Sequence, residues 1–249
     1  MKEEIIKGAL YVVATPIGNL EDISHRAAAI LEGVDCVAAE DTRTSGVLLA
    51  HLGIKKPMVS YHSYNERRRV AELLDRLRNG ETIAVVTDAG TPGISDPAFA
   101  LVRAAVDAGI RVIPVPGASA VLAALVASGL PTDRFVFEGF LPLKKGRATR
   151  LQMLKEEART IVVYEAPHRV ERTLQDLATA LGDRQAVLAR ELTKKFEEIR
   201  RGSLSDLLEG VRKKAPRGEI VLVIQGANGG KSYRESSHGE DSGSTNETA

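Results

Sequence analysis

The sequence predicts an α/β protein with two α/β domains and a polar C-terminal tail. Short apolar runs alternate with amphipathic stretches, the pattern of strand–helix units stacked into parallel or mixed sheets. The 249 residues, 43% of them hydrophobic, can form one large core or two modest ones. A break rich in proline and glycine near residue 117 favours two. We therefore predict domains at residues 9–117 and 118–226, and a tail at 227–249.

Four apolar runs predict the strands of the first domain: Leu10 to Ala14, Asp35 to Ala39, Thr82 to Thr87 and Arg111 to Val115. Helical stretches separate these strands. One helix has clear boundary signals, because Asp96 can cap its N-terminus and Pro97 suits the first helical position. Apolar residues continue through Val106, and Gly109 ends the helix.

The domain boundary is predicted where Pro114, Pro116 and Gly117 interrupt this pattern, before a new helix from Ser119 to Ser128. The second domain repeats the alternation. Its predicted strands are Phe135 to Phe137, Ile161 to Tyr164, Ala186 to Ala189 and Ile220 to Ile224. Its predicted later helices are Leu151 to Ala158, Val170 to Ala180 and Leu204 to Lys213.

The last 23 residues are too poor in apolar side chains to offset the entropy of ordering them, so we expect residues 227–249 to be disordered. The first eight residues contain no apolar run long enough for a signal peptide or a membrane span. A cytoplasmic protein without membrane contact is expected.

Composition limits the classes of function. Lys and Arg total 34 against 33 Asp and Glu, so a formal charge of +1 excludes a globally basic coat protein for nucleic acid. Any RNA contact must be a local patch. Cys36 is the only cysteine, which excludes an intrachain disulfide, and we expect it to be a buried core residue. The five histidines show no pair at metal-ligand spacing, so no metal site is predicted.

The most informative segment is residues 88–97, Asp-Ala-Gly-Thr-Pro-Gly-Ile-Ser-Asp-Pro, which leaves a predicted buried strand and enters the helix capped by Asp96. Ligands of open α/β sheets bind at the carboxyl ends of strands. Gly90 and Gly93 allow the backbone to approach a ligand, and the helix N-terminus offers free N–H groups to an anion such as a carboxylate. A tight turn that binds nothing is the alternative interpretation of this segment alone.

Two further loops follow predicted strands. Residues 114–120 enter a helix that Ser119 can cap, and residues 14–22 follow the first strand. Loops 88–97 and 114–120 at one sheet edge would face each other across a crevice. The first loop has no G-x-G-x-x-G fingerprint, which disfavours an NAD enzyme, and the Gly-Lys-Ser triplet at 230–232 lacks the strand that a P-loop requires.

Polar clusters follow other apolar runs, at residues 40–43, 61–66, 164–169 and 190–194. Any one of them can be a surface salt-bridge cluster, but their shared position after strands favours a site. Basic groups lie at residues 67–69, 144–150 and 212–217. Each can be a solvated helix face. We favour the group at 144–150 as an RNA contact because it follows a strand, in a segment where Pro142 and Gly146 discourage regular structure.

Six of these segments, taken together and in order, resemble the ribosomal RNA small subunit methyltransferase I family of the tetrapyrrole methylase superfamily. They are residues 13–20 (Val-Ala-Thr-Pro-Ile-Gly-Asn-Leu), 40–43 (Glu-Asp-Thr-Arg), 88–97, 116–120 (Pro-Gly-Ala-Ser-Ala), 164–169 (Tyr-Glu-Ala-Pro-His-Arg) and 190–194 (Arg-Glu-Leu-Thr-Lys). The resemblance implies two α/β domains with a donor-binding cleft for S-adenosylmethionine between them, usually in a homodimer. It also implies methylation of the 2′-oxygen of a cytidine in the decoding centre of 16S rRNA, with the small ribosomal subunit as partner.

Two other functions stay open at this point. Small-molecule members of the superfamily usually carry a G-x-G-P-G loop after the first strand, whereas this chain has Thr-Pro-Ile-Gly-Asn at 15–19, as in the rRNA branch. A corrin- or porphyrin-type methyltransferase is therefore the alternative, and a non-catalytic RNA-binding module is the second.

The resemblance also implies roles for individual residues. The methionine part of the donor would be held by two loops, namely by Asp88, Ala89, Gly90, Thr91, Pro92, Ile94, Gly117, Ala118, Ser119 and Ala120. The adenosine side would be lined from the second domain by Tyr164, Glu165, Ala166 and Leu192.

The reaction itself suggests further candidates. A ribose hydroxyl is a very weak acid, so a positioned base would assist its attack, and the unranked candidates are Asp41, Glu40 and His168. Cations could hold phosphates or stabilise a developing alkoxide, and the candidates for this RNA-binding role are Arg43, Lys144, Lys145, Arg147, Arg169 and Lys194.

Overall fold

A computed structural model describes residues 5–227 of the chain. These residues form two compact units, which divide between Ala120 and Val121. The predicted disordered tail lies outside the described residues except for Ala227, whose N–H donates to the Glu157 carbonyl at 2.7 Å.

The first unit is a five-stranded parallel sheet with helices on both faces. Its strands are β1 (Leu10–Val13), β2 (Cys36–Ala39), β3 (Met58–Ser60), β4 (Ile83–Val86) and β5 (Val112–Val115). Its helices are α1 (His25–Gly33), α2 (Thr42–His51), α3 (Glu66–Arg78) and α4 (Ala98–Asp107), with a short 3-10 helix at Leu20–Asp22.

The strand order is β3-β2-β4-β1-β5, and every pair is parallel. Apolar residues of α1 and α2 pack in one core with one face of the sheet, and those of α3 and α4 pack in a second core with the other face. Burial of both faces explains why the central strands are continuous apolar runs. Cys36 is buried in β2, as predicted.

The second unit is a five-stranded mixed sheet. Its strands are β6 (Phe135–Phe140), β7 (Thr160–Glu165), β8 (Gln185–Arg190), β9 (Glu198–Ser203) and β10 (Ile220–Ile224). Its helices are α5 (Ala120–Ser128), which starts at the unit boundary, α6 (Arg147–Lys155), α7 (Val170–Leu181) and α8 (Leu204–Lys213). Leucines and valines of α6, α7 and α8 pack against β7, β8 and β10 in one core.

The order of the second sheet brings several loops to one edge. The order is β6-β7-β10-β8-β9, with β6 and β7 parallel and β10 antiparallel to both β7 and β8. Strands β6, β7 and β8 therefore run in the same direction, and the loops that follow them lie at the same edge. Glu165 and Arg190 both pair with Ile220, which fixes this alignment.

The predicted fold class of two α/β domains is confirmed, and the ends of the predicted strands lie within three residues of the observed ends. Strands β3 and β9 were not predicted. Strand β3 has three residues with half-buried side chains, and β9 reads Glu-Ile-Arg-Arg-Gly-Ser, so neither offers the apolar run that marks the inner strands. Helix α4 begins at Ala98, so Pro97 is its N-cap residue and not the first helical residue as predicted, and Asp96 lies one position before the cap, where its carboxylate accepts the Ala98 N–H at 2.8 Å.

Candidate functional site

All five strands of the first sheet are parallel, so their carboxyl ends lie at one edge. The loops after β1, β2, β4 and β5 therefore share that edge. They carry the predicted donor residues of this unit and the acidic pair Glu40 and Asp41. The structure thus brings together side chains up to 80 positions apart, including Glu40 and Ala120, at one sheet edge.

The loops after β1, β4 and β5 are joined by hydrogen bonds. Thr15 and Gly90 form an isolated antiparallel bridge, with N···O distances of 2.9 and 3.1 Å. The Thr15 hydroxyl, itself buried, donates to the Thr87 carbonyl at 3.1 Å. The Thr91 hydroxyl donates to the Ala118 carbonyl at 3.1 Å. The three loops therefore act as one rigid rim.

Two glycines of this rim have a steric requirement. Gly90 has φ +88°, which favours glycine, and a Cβ on Gly117 would lie 2.9 Å from the Ala14 Cβ. A larger residue at position 117 would push the loop after β5 away from the end of β1. Glycine at position 117 is thus required by packing whether or not the loop binds a ligand.

The same rim offers unpaired backbone donors. The N–H groups of Ala118, Ser119 and Ala120 donate no hydrogen bond to any other part of the described chain. They precede or begin α5, where the first N–H groups of a helix have no intrahelical acceptor. Such amides and the positive end of the helix dipole attract an anion, and a carboxylate fits this donor set.

The loop between β4 and α4 is held in a strained form. Ser95 has φ +69°, which is uncommon for a residue other than glycine. The Asp96 carboxylate accepts the Gly93 N–H at 2.8 Å, besides that of Ala98. Burial is the main cause that raises the pKa of Asp96. Strained residues of this kind persist where the surrounding contacts enforce them, and they cluster at functional sites.

Three carboxylates lie where β2 and β4 end. The Glu40 Oε2 atom accepts the Thr87 hydroxyl at 2.6 Å, and the Asp88 Oδ1 atom accepts the Asp41 N–H at 3.1 Å. Desolvation and then the charge of Glu40 raise the pKa of Asp88. These hydrogen bonds join the two strand ends, and they also place the negative charges of Glu40 and Asp88 close together.

Asp41 differs from its neighbours because a cation neutralises it. Its carboxylate caps α2 by accepting the Arg43 N–H at 2.8 Å, and it pairs with the Arg43 guanidinium. The hydrogen bond from Arg43 lowers the pKa of Asp41 to about 2. Asp41 is therefore a weak proton acceptor. The Arg43 side chain is 90% exposed despite this pair, so its outer face is open to an anion.

The second unit holds a buried polar network that the sequence did not reveal. The Glu165 carboxylate is fully buried and accepts the Thr173 hydroxyl at 2.5 Å and the Ala166 N–H at 2.9 Å. Arg169 pairs with it at 3.2 Å. The carboxylate of Glu165, a residue predicted to line the adenosine side, is thus committed to intrachain partners.

Two arginines of this network fix the loop after β6. Arg147 donates to the Pro142 carbonyl at 3.1 Å, to Thr173 at 2.9 Å and to the Asp176 carboxylate at 2.7 Å. Arg169 donates to the Leu141 carbonyl at 2.8 Å. Both guanidiniums are therefore anchored to the backbone that leads to Lys144 and Lys145.

This network corrects the predicted basic patch. Arg147 is only 6% exposed, because it begins α6 and turns its guanidinium inward, so it does not contact RNA. Arg150 pairs with Glu138 at 2.9 Å. Lys144 and Lys145 are exposed in the irregular segment before α6. They are the two residues of the predicted basic patch that have no structural role in this network.

Other predicted residues of the second unit lie around the same edge. Tyr164 packs its ring against Phe137 and Phe140, with centroid distances of 4.9 and 5.7 Å, and burial raises its pKa. His168 is exposed. Leu192 is buried and Lys194 pairs with two carboxylates, so Lys194 is mainly structural.

Thr173 and Asp176 are the network residues that sequence reasoning missed. A weak signal was present, since Thr173 lies on the buried face of α7 defined by Val170, Leu174 and Leu177. A polar residue on the apolar face of a helix predicts a buried hydrogen bond. Its partner cannot be read from the spacing.

Within residues 5–227, no group of three or more His, Cys, Asp or Glu side chains is arranged to hold a metal ion. None of the described helices is long and apolar enough to cross a membrane.

The sequence profile of the tetrapyrrole (corrin/porphyrin) methylases matches residues 9–208, which is most of the chain. The chain belongs to the tetrapyrrole methylase family. Solved structures of similar proteins agree with this fold. The methyltransferase CobJ superposes with a TM-score of 0.68 at 21% identity, covering 88% of this chain and 95% of that one. Uroporphyrin-III C-methyl transferase from Thermus thermophilus, complexed with S-adenyl homocysteine, superposes with a TM-score of 0.64 at 20% identity, covering 87% and 97%.

Relatives within the tetrapyrrole methylases are much more similar in sequence. The ribosomal RNA small subunit methyltransferase I of Synechocystis sp. is 54% identical over 222 residues, 88% of this chain and 80% of the relative. Proteins with the same name from Pasteurella multocida and Escherichia coli O157:H7 are 52% and 49% identical, over 89% and 88% of this chain and 80% and 78% of the relatives. The resemblance inferred from six short motifs is confirmed over the whole described fold.

Proposed function

We propose that this tetrapyrrole methylase transfers a methyl group from S-adenosylmethionine to a ribose 2′-hydroxyl of a cytidine in the decoding centre of 16S rRNA. The observation that carries the proposal is the identity of about 50% to relatives named ribosomal RNA small subunit methyltransferase I over 88% of the chain. The solved structures of corrin and porphyrin methyltransferases are only 17–24% identical and support the fold alone. The Thr-Pro-Ile-Gly-Asn sequence of the first loop also favours the RNA branch.

The rim of the first unit is the proposed site for the methionine part of the donor. S-adenosylmethionine, when bound, supplies a methyl group on a sulfonium. The amides of Ala118, Ser119 and Ala120 would take its carboxylate, because they have no acceptor within the described chain. The loop from Asp88 to Ile94 would hold the rest of the methionine part, with its geometry maintained by the bonds from Thr91 and Asp96. Tyr164, Ala166 and Leu192, with the backbone at Glu165, stay proposed for the adenosine part.

The chain must also orient the attacking hydroxyl and receive its proton. Methyl transfer is an in-line displacement, so positioning and exclusion of water contribute most of the rate. Among the base candidates Asp41 is disfavoured, because the hydrogen bond from Arg43 lowers its pKa to about 2. Glu40 and His168 stay as candidates, and Arg43 is proposed to contact a phosphate or the developing alkoxide.

Recognition of the RNA backbone is assigned to Lys144 and Lys145. Both are exposed on a loop that Arg147 and Arg169 anchor from within, so the two ammonium groups are held on a defined segment. Phosphate contacts position an RNA without reading its sequence. We further propose that the protein acts as a cytoplasmic homodimer, as the resemblance implies, which light scattering and cell fractionation test.

The deciding experiment is mass mapping of 2′-O-methylation in rRNA from cells that lack the gene. Loss of one methylated cytidine in the decoding centre, restored by the wild-type gene, is expected. Purified protein should also methylate undermodified small subunits with S-adenosylmethionine. An unchanged methylation map would refute the RNA function. Methylation of a porphyrin or corrin would support the small-molecule alternative, and absence of S-adenosylmethionine binding would support a non-catalytic module.

A further inference from the structure

The loop at residues 191–197, which joins β8 to β9, lies at a functional edge of the second sheet. It leaves the carboxyl end of β8, the same edge at which the loops after β6 and β7 begin. Those loops carry Lys144, Lys145 and the segment 166–169. Strands β6 and β8 are three strand spacings apart in the sheet order, a span of about 14 Å.

The backbone of this loop is strained and tightly held. Glu191 and Thr193 have φ values of +49° and +66°, and a β-branched residue rarely adopts such a conformation. The Lys194 ammonium contacts the carboxylates of Glu191 and Glu219 at 3.1 and 3.0 Å, and the Thr193 N–H donates to the Glu197 carboxylate at 2.7 Å. Conformations of this kind persist only where surrounding contacts enforce them.

What this rigid loop presents to solvent is an aromatic ring and a cation. The Phe196 side chain is 66% exposed, although burial of a phenylalanine is favourable. The Lys195 ammonium lies 5.7 Å from the centroid of that ring. Among the described residues, Lys195 forms no ion pair, whereas its neighbour Lys194 forms two. The pair is therefore available to a ligand.

We propose that the 191–197 loop is an RNA-binding element in which Phe196 stacks on an unpaired base and Lys195 contacts an adjacent phosphate. Proteins that recognise single-stranded RNA combine these two contacts, because every base has a face that an aromatic ring can cover. Because the contacts of Thr193 and Lys194 hold the loop backbone, little backbone entropy is lost on binding. With Lys144 and Lys145 at the other end of the edge, the element gives the RNA two points of contact. The inference rests on the proposed RNA substrate and extends it to a second contact.

Stacking and charge can be tested separately. The probes are a single-stranded RNA oligonucleotide and an abasic analogue of the same length and charge. Phe196→Ala should weaken binding of the oligonucleotide about 5- to 100-fold and leave binding of the abasic analogue unchanged. Lys195→Ala should weaken binding of both, and the slope of log affinity against log salt should fall by about 0.7.

The chain contains no tryptophan, so Phe196→Trp places a single fluorophore in the loop. This variant should bind the oligonucleotide at least as well as the wild type, and its fluorescence should be quenched on binding. Phe135→Ala is the matched control, because Phe135 is also exposed but begins β6 at the opposite edge of the same sheet. It should not change binding of either probe.

Equal affinity of the wild type and Phe196→Ala for the oligonucleotide, or equal losses on both probes, would overturn the stacking contact. A change of oligomeric state in Phe196→Ala with unchanged RNA binding would also overturn it and would assign the ring to a contact between copies. If the wild type does not methylate small subunits, the proposed function itself has failed. Normal methylation by Phe196→Ala at limiting subunit concentration rejects this inference alone.

Discussion

The Glu40 Oε2 atom accepts a hydrogen bond of 2.6 Å from the Thr87 hydroxyl, which ties the end of β2 to the end of β4. A second hydrogen bond links the same strand ends, because the carboxylate of Asp88, which follows Thr87, accepts the Asp41 N–H. The contacts hold two strand ends in register and concentrate negative charge at the sheet edge where the loops that we propose to bind the donor lie. A site that binds a cationic sulfonium is compatible with such a field.

The charge of Glu40 should be measurable at its neighbour. Glu40→Gln keeps an oxygen that accepts the Thr87 hydroxyl but removes the negative charge, the second largest cause that raises the pKa of Asp88. The pKa of Asp88 should therefore fall in the variant. Carboxyl carbon NMR titration measures it, and an unchanged Asp88 titration would show that the charge of Glu40 does not contribute to the raised pKa.

Asp41 predicts a pH dependence of stability. Its pKa is about 2 in the folded protein, below the ordinary value of about 3.9, so it favours the folded state at pH values above the ordinary pKa. That contribution is lost as the pH falls from about 4 to about 2. Asp41→Asn keeps a capping oxygen without the charge, so its stability deficit relative to wild type should shrink over this range. Urea unfolding at several pH values tests this, and a deficit that is constant with pH would contradict it.

The Thr91 hydroxyl links the loops after β4 and β5. Thr91→Val should lose about 1 kcal/mol of stability, because a half-buried hydrogen bond to Ala118 is removed. Affinity for S-adenosylmethionine should fall by up to about fivefold, since 1.4 kcal/mol corresponds to tenfold. Calorimetric titration measures the affinity, and Thr91→Ser, which keeps the hydroxyl, should bind normally. Equal affinities of the Val and Ser variants for S-adenosylmethionine would show that this hydrogen bond does not contribute to donor binding.

These substitutions test the rim better than changes of its glycines. Gly117→Val would collide with Ala14, and Gly90→Val would require an unfavourable backbone. Loss of donor binding in either variant would not separate a ligand contact from a distorted loop.

The inward orientation of Arg147 predicts a large effect on stability. Arg147→Met removes a buried guanidinium and its bonds to Asp176, Thr173 and Pro142, which should cost about 2–4 kcal/mol. Arg172→Met is the matched control, because Arg172 is 68% exposed and pairs with the same Asp176 at 3.7 Å. It should change stability by less than about 0.5 kcal/mol. Similar effects of both variants in urea unfolding would show that Arg147 has no special role.

The exposed pair Lys144 and Lys145 should determine salt-dependent RNA binding. Reversing both to Glu should weaken binding to small-subunit rRNA, with the salt slope falling by about 0.7 per lost contact, and should not change affinity for S-adenosylmethionine. The same reversal at Lys55 and Lys56, which precede β3 at the opposite edge of the first sheet, is the control. Normal rRNA binding by the Lys144 and Lys145 variant would make residues 67–69 or 212–217 the next candidates.

The positions of most elements could be predicted from local sequence. Buried strands such as β4 and β10 are continuous apolar runs, and α8 has a capping box at Ser203 and apolar residues at helical spacing. The edge strands β3 and β9 carry no such signal, because their side chains stay partly exposed, whereas the edge strands β5 and β6 keep short apolar runs that the sequence does predict. This explains why the charged strand β9 was missed.

By itself the sequence determined the fold class, the loops that follow each strand and the family, because these depend on periodicity, turn residues and ordered motifs. Tertiary structure alone decided which charged residues are available. Arg147 stands beside Lys144 and Lys145 in the chain, yet it is buried because Thr173 and Asp176, 26 and 29 positions away, satisfy its guanidinium. Lys194 and Lys195 are adjacent, yet among the described residues only Lys194 forms ion pairs, one of them with Glu219, which directly precedes β10. The sequence shows where charged residues stand along the chain, but the tertiary packing determines which of them have a partner of opposite charge.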